Sequence, residues 1–179
     1  MTRDEGDGFA EFVAARWPEL EAVALVALLD AERAREVTTA ALAALRGRWS
    51  GVVEEGAPTP AARRELVGRL VEAPPGPADP GLRAAVRAPA DAVPGALLDA
   101  LAAESPRVRT VLAAETAWEL APGAADALLP RRPAPRAELV EARARLAAAP
   151  RAPRAADVSE PDDDRLDDDT ARLVHRLAG

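Results

Sequence analysis

Alanine supplies 45 of the 179 residues, more than all larger apolar side chains together, which number 42 (21 Leu, 15 Val, 3 Trp, 2 Phe and 1 Met). Alanine has the highest helix propensity of any residue but removes little apolar area from water when buried. A chain of this kind must fold around a thin core of Leu and Val carried on helices. Its low content of β-branched and aromatic residues argues against sheets, so the expected class is all-α. No apolar run approaches the roughly eighteen residues of a membrane-spanning helix, and no membrane partner is expected.

The side chains that are missing narrow the chemistry. The chain has no Cys, Lys, Asn, Gln, Tyr or Ile, and its single histidine is His175. Thiol nucleophiles, disulfides and thiolate metal sites are excluded, and Ser50, Ser105 and Ser159 have no base at a recognisable spacing. The expectation is therefore a protein that is not an enzyme and uses no cofactor or metal. The acidic run Asp162–Asp169 lacks the alternating oxygens, turn glycine and distal Glu of a calcium loop. It reads instead as the solvated start of a helix. Abundant Ala, Arg, Pro and Gly beside the missing types match a GC-rich coding sequence. The stretch Met1–Gly8 is acidic and polar where a secretory leader would be basic and then apolar, so a cytoplasmic location is expected.

Helical periodicity divides the chain. Phe9 to Arg16 reads as a short helix, and Pro18 is placed to open a second one carrying Leu20, Val23, Ala27 and Leu28. Ala34, Val37, Thr38, Ala41, Leu42, Leu45 and Trp49 follow steps of three and four along a third helix, with Gly51 and the Gly56-Ala57-Pro58 turn as its stop. Thr59-Pro60 then looks like a cap and first helical residue for a helix burying Leu66, Val67, Leu70 and Val71. The sequence from Pro74 to Pro80 sustains no regular element and marks a linker. Beyond it, Leu97, Leu98 and Leu101 share one helix, and Ser105-Pro106 caps another with Val108, Val111, Leu112 and Trp118. Pro122 opens a short helix ending at Leu128-Leu129. Arg136–Ala149 presents Leu139, Ala142 and Leu146 on one side. A last helix is expected from Asp162 to Leu177, docking on this protein or on a partner. Trp17, Trp49 and Trp118 read as core anchors, and His175 as a charge at a helix C-terminus.

The net charge of −7 is unevenly spread: residues 1–73 carry −4, residues 74–154 carry +2 and residues 155–179 carry −5. Arg131, Arg132, Arg136, Arg143, Arg145, Arg151 and Arg154 oppose only Glu138 and Glu141, which makes 131–154 the candidate polyanion-binding stretch. The competing reading is a solvated helix face with Glu141 paired to Arg145 one turn on.

Two ordered sets of residues resemble a known family. Phe9-x-x-Phe12-Val13-x-x-Arg16-Trp17-Pro18-x-Leu20, then Leu28-Leu29-Asp30, Ala34-x-Glu36, Ala41-Leu42, Arg48-Trp49 and Arg63-Arg64-x-Leu66-Val67, resemble the polymerase-binding region of extracytoplasmic-function sigma factors of actinobacterial type. Pro106-Arg107-x-Arg109-x-Val111-Leu112, Trp118-Glu119-Leu120 and Ala142-Arg143-Ala144-Arg145-Leu146 are similar to that family's second, helix-turn-helix region. The resemblance implies a region 2-like bundle over 1–73, a linker over 74–95, a region 4-like module over 96–150 and an acidic tail with a C-terminal helix over 151–179. It implies contact with core RNA polymerase through Glu36 and Thr39, and nucleic-acid contact through Arg63, Arg64, Arg131, Arg132, Arg136, Arg143 and Arg145.

The chain departs from the family at the positions that read DNA. The aromatic expected before the paired arginines is Ala61, so no ring is there to stack on an extruded base. The family's Gly-Thr-Val-Lys-Ser-Arg is replaced by Ala134-Pro135-Arg136-Ala137-Glu138-Leu139, and base reading is left to Arg and a few oxygens. The expected function is a degenerate sigma-factor-like regulator working mainly through protein contacts, with RNA polymerase core or another regulatory protein as partner and DNA recognition weakened or lost. The alternatives are an all-helical interaction module unrelated to transcription and a functional sigma factor.

Overall fold

The computed structural model describes residues 3–74, 95–129 and 136–149, together with Leu173, Arg176 and Leu177. Their architecture follows from two helices that are buried around their whole circumference over part of their length. In α1 (Arg3–Leu28) every residue from Ala22 to Leu28 is buried, and in α6 (Pro106–Ala117) every residue from Val108 to Glu115 is buried. A helical stretch with no exposed face is covered on all sides by its neighbours. These two pack against each other and are wrapped by α2 (Ala31–Arg46), α3 (Trp49–Glu54) and α4 (Pro58–Glu72), with α5 (Gly95–Ala103), a 3₁₀ turn (Ala124–Leu128) and α7 (Arg136–Ala148) on the other side. The all-α class is as expected, and no strand occurs among the described residues.

One hydrophobic cluster runs through both halves of the sequence, from Leu20, Leu45, Leu66 and Leu70 to Leu97, Leu101, Leu139 and Leu146, and it includes Leu173 of the last segment. Residues 95–149 thus lie against residues 3–74, with α6 touching both α1 and α4. Residues 75–94 of the expected linker, the Pro130–Pro135 turn, the run Asp162–Asp169 and His175 lie outside the described residues.

Three element boundaries differ from the sequence expectation, each for a packing or steric reason. Pro18 does not open a helix but lies inside α1. An internal proline costs about 3 kcal/mol by removing a backbone donor and crowding the preceding turn. Here both sides of it are anchored. Trp49 meets the Phe9 and Phe12 rings, each at a centroid distance of 5.1 Å, while Trp17 Nε1 donates to Glu21 Oε2 at 2.6 Å across the proline. The same ring contacts explain why Trp49 begins α3 and does not end α2: a turn at Gly47-Arg48 swings the indole back onto α1. Gly51 accordingly lies within α3, and Gly56, at φ +67°, ends it. Finally, Pro58 takes the first position of α4, so Thr59 falls within the first turn and caps nothing.

The capping of α6 matches expectation, with Ser105 Oγ accepting from the Val108 amide at 3.2 Å. Two helices end on residues in the left-handed region that are not glycine. Leu29 (φ +55°) closes α1, its amide donating to the Leu25 carbonyl at 2.7 Å. Glu119 (φ +51°) closes α6, and the Leu120 amide reaches back to the Glu115 carbonyl at 2.9 Å, the bond of a Schellman cap. Leu29 is 4% exposed, so burial offsets its backbone strain, whereas Glu119 is exposed and has no such compensation. Urea denaturation is therefore expected to move in opposite directions for the same substitution. Glu119→Gly should gain about 0.5–1 kcal/mol by relieving strain, and Leu29→Gly should lose about 2 kcal/mol because the lost burial exceeds the strain relieved.

Candidate functional site

The candidate partner-binding residues lie on α2. Asp30 starts this helix, its Oδ1 accepting from the Arg33 amide at 3.0 Å and its carbonyl from the Ala34 amide at 2.9 Å. Ala34, Thr38, Ala41, Leu42 and Leu45 then face the core. The opposite face turns outward, placing Glu32, Arg35, Glu36 and Thr39 in solvent along a shallow, open depression with Ala31 and Ala40. Thr39 Oγ1 donates to the Arg35 carbonyl at 2.7 Å, and Arg35 Nε lies 3.3 Å from Glu21 Oε1 with its side chain still 71% exposed. Glu36 and Thr39 are thus brought together on one accessible helix face.

The candidate nucleic-acid residues are not assembled in this way. Arg63 Nη2 pairs with Glu19 Oε1 at 3.1 Å, and its guanidinium lies over the Trp118 ring at 4.8 Å. It ties α4 to α1 and to the end of α6. Its neighbour Arg64 is exposed. Arg143 pairs with Glu115, a carboxylate only 6% exposed that also accepts from the Gly123 amide at 2.5 Å. Arg145 engages Glu104 with two nitrogens, Nε at 2.7 Å and Nη2 at 2.9 Å, and its Nη1 lies 3.6 Å from Glu141 one turn back. The Glu104 hydrogen bond is the main cause that raises the Arg145 pKa above its ordinary value. Arg136 is exposed, while Arg131, Arg132, Arg151 and Arg154 lie outside the described residues. The exposed charges of α7 are Arg136 and Arg145 against Glu138 and Glu141, a balanced face with little net attraction for phosphate.

The residue whose importance sequence reasoning missed is Arg109, 6% exposed in the middle of α6. Its Nε donates to the Ala27 carbonyl at 2.7 Å and its Nη1 to the Glu104 carbonyl at 3.0 Å, with the carbonyls of Leu101 and Ala102 at 3.4 and 3.5 Å. Ala27, Leu101 and Ala102 belong to the last turns of α1 and α5 and Glu104 directly follows α5, where carbonyls have no partner within their own helix and the negative ends of the helix dipoles lie. One guanidinium therefore caps two helix C-termini. Burial pushes its pKa down from the ordinary value, and the negative charge of Glu104 opposes that shift. The signal in the sequence is an arginine set in a helix whose neighbours Val108, Val111, Leu112 and Ala113 leave no polar face for it to join.

Trp118 is a core anchor at 6% exposure, as expected, whereas Trp17 and Trp49 are half-buried against the core. Among the described residues there is no group of three or more acidic or histidine side chains arranged to hold a metal, and no helix long and apolar enough to cross a membrane. No protein-family model, no curated protein and no solved structure matches the chain.

Replacing Arg109 with methionine keeps most of its length and apolar contact but strands the Ala27 and Glu104 carbonyls. The expected loss is about 3 kcal/mol or more, since buried acceptors without partners each cost about 1–3 kcal/mol. Arg64→Met, at an exposed position, should change stability by no more than about 0.5 kcal/mol. Thermal or urea unfolding of the two variants side by side checks the difference.

Proposed function

We propose that the chain is a regulator of sigma-factor-like type that works by protein contact through the outward face of α2, with core RNA polymerase or another regulatory protein as partner, and that it reads promoter DNA weakly or not at all. The observation that carries this reading is the contrast between the two sets of candidate residues. Glu36 and Thr39 share an accessible helix face, while Arg63, Arg143 and Arg145 are held by Glu19, Glu115 and Glu104. A guanidinium already paired with a carboxylate has to give up that partner before it can neutralise a phosphate, which weakens the electrostatic term that dominates nucleic-acid affinity. The residues of the resemblance also have structural duties here: Phe9 and Phe12 hold Trp49, and Arg109 caps α1 and α5.

A second reading, a helical interaction module with no tie to transcription, is favoured by one feature. A factor that contacts two promoter elements needs two modules able to stand apart, and here residues 95–149 share a core with residues 3–74. Capture of purified core RNA polymerase on the immobilised chain separates the two readings. The regulator captures polymerase, and Glu36→Arg lowers capture by about tenfold or more, as charge reversal at an interface does. Circular dichroism should stay unchanged because Glu36 is exposed. Absence of capture at low salt would leave the interaction module. Salt-sensitive, sequence-specific duplex binding together with run-off transcription would instead restore the initiation factor.

A further inference from the structure

α7 is joined to the bundle from one side only. Leu139, Ala142 and Leu146 are buried, while its remaining residues are half-buried or exposed. Its main contacts are with α5 and α6, whereas α1 is packed among α2, α3, α4 and α6. An element that buries few apolar side chains and keeps most of its surface in water is the kind that opens at lower cost than the core.

Charge decides what such an opening uncovers. The side chains of Glu104 and Glu115 are each 6% exposed, and each is matched by an arginine of α7. Arg145 grips Glu104 with Nε and Nη2 and lies 3.6 Å from Glu141, while Arg143 holds Glu115 beside the Gly123 amide. The other charged groups near these acids are committed elsewhere: Arg109 donates to backbone carbonyls, that of Glu104 among them, and Arg176 lies 3.6 Å from Glu119. The pairs are unequal in burial, because the Arg143 and Arg145 side chains are 37% and 52% exposed. An arginine that loses its acid can turn to water, whereas an acid that loses its arginine stays buried and charged unless α7 lifts away.

We infer that α7 is a charge-locked lid, which lifts from α5 and α6 as a unit while the rest of the bundle stays folded, and whose closing covers and neutralises the Glu104 and Glu115 carboxylates. The closed molecule has both acids paired. The open one presents two free carboxylates beside the apolar surface of α5 and α6 that α7 covers. One fold thereby offers two surfaces of different charge, and the position of α7 selects between them. This inference does not rest on the α2 reading, and its test involves no polymerase.

Hydrogen exchange of the full chain, resolved by segment, reads the lid directly. In the wild type, amides of α7 should exchange about tenfold or more faster than those in the buried stretches of α1 and α6. The double variant E104Q/E115Q, which removes both charges and keeps the shape, should speed exchange in α7 and leave α1 and α6 as they were. R143M/R145M should speed it further, by about tenfold or more over the wild type, because two buried carboxylates are left without partners. Combining all four substitutions should slow exchange again relative to R143M/R145M, since no charge then remains to be buried, a rescue that lost packing alone does not produce. Glu119→Gln alters an exposed acid and should leave α7 at the wild-type rate. If R143M/R145M does not fold, E104Q/E115Q set against wild type and Glu119→Gln still reads the lock. Exchange of α7 in step with α1 and α6 in the wild type would overturn the inference, as would an equal effect of Glu119→Gln and E104Q/E115Q, or a four-site variant no slower than R143M/R145M.

Discussion

A single buried guanidinium joins the parts of this fold that the sequence keeps apart. Arg109 donates to the last turn of α1 and to the last turn of α5, 82 and 5 residues away at the Ala27 and Glu104 carbonyls. Both acceptors are carbonyls that a helix cannot satisfy for itself, so each would have to find water or a donor. Neither end can reach water freely, because Ala27 and Leu28 are buried and Glu104 is only 7% exposed. The alanine-rich composition makes this joint more important. Ala22, Ala24, Ala27, Ala113 and Ala114 let α1 and α6 lie close but contribute little area themselves. Packing of α1 against α6 brings the end of α1 within reach of an arginine on α6.

From that joint the charged network spreads outward in layers. The Glu104 backbone receives Arg109 while its carboxylate holds Arg145 on α7, and Glu115, one helical face further on, holds Arg143. Glu19 and Arg63 do the same between α1 and α4, with Trp118 of the α6 end beneath the guanidinium. The two acids buried among the described residues, Glu104 and Glu115, thus each have an arginine from α7. In a chain without lysine, asparagine or glutamine this task falls to arginine alone. The planar, multiply donating guanidinium suits it, since one side chain can satisfy several acceptors at once. The apparent excess of arginine over 131–154 is, for Arg143 and Arg145, balance for acids elsewhere in the sequence.

The parts that were legible in the sequence are those that local chemistry decides. Ser105-Pro106 announced α6, the spacing of Leu139, Ala142 and Leu146 announced α7, and the trio Leu97, Leu98 and Leu101 announced α5; these six apolar residues are buried as expected. The boundaries at Pro18, Trp49 and Thr59 were not legible because packing decided them. Pro18 is a helix breaker by every local rule, and the contacts that override it come from Trp49, far along the chain. The pairings of Arg63, Arg143 and Arg145 were hidden for the same reason, since their partners are 44, 28 and 41 residues away. Only Glu141 with Arg145, one turn apart, could be read in advance. The exposed placement of Glu36 and Thr39 was legible because α2 has a clean apolar stripe and they fall opposite it.

The shared core also bears on how the two segments could be put to use. Separating residues 95–149 from residues 3–74 would expose α1 and α6 on the sides where they cover one another and would strip the Ala27 carbonyl of its donor. Each large apolar side chain so exposed costs about 1.5–3 kcal/mol, and folded domains have only about 5–15 kcal/mol in total. Opening the two segments is therefore comparable to unfolding the protein, and a function that needs them spread along a duplex is disfavoured by the fold itself. Contacts made from the closed form, such as those on the outer face of α2, involve no such exposure. The closed arrangement is therefore retained on energetic grounds, before any individual surface side chain is considered.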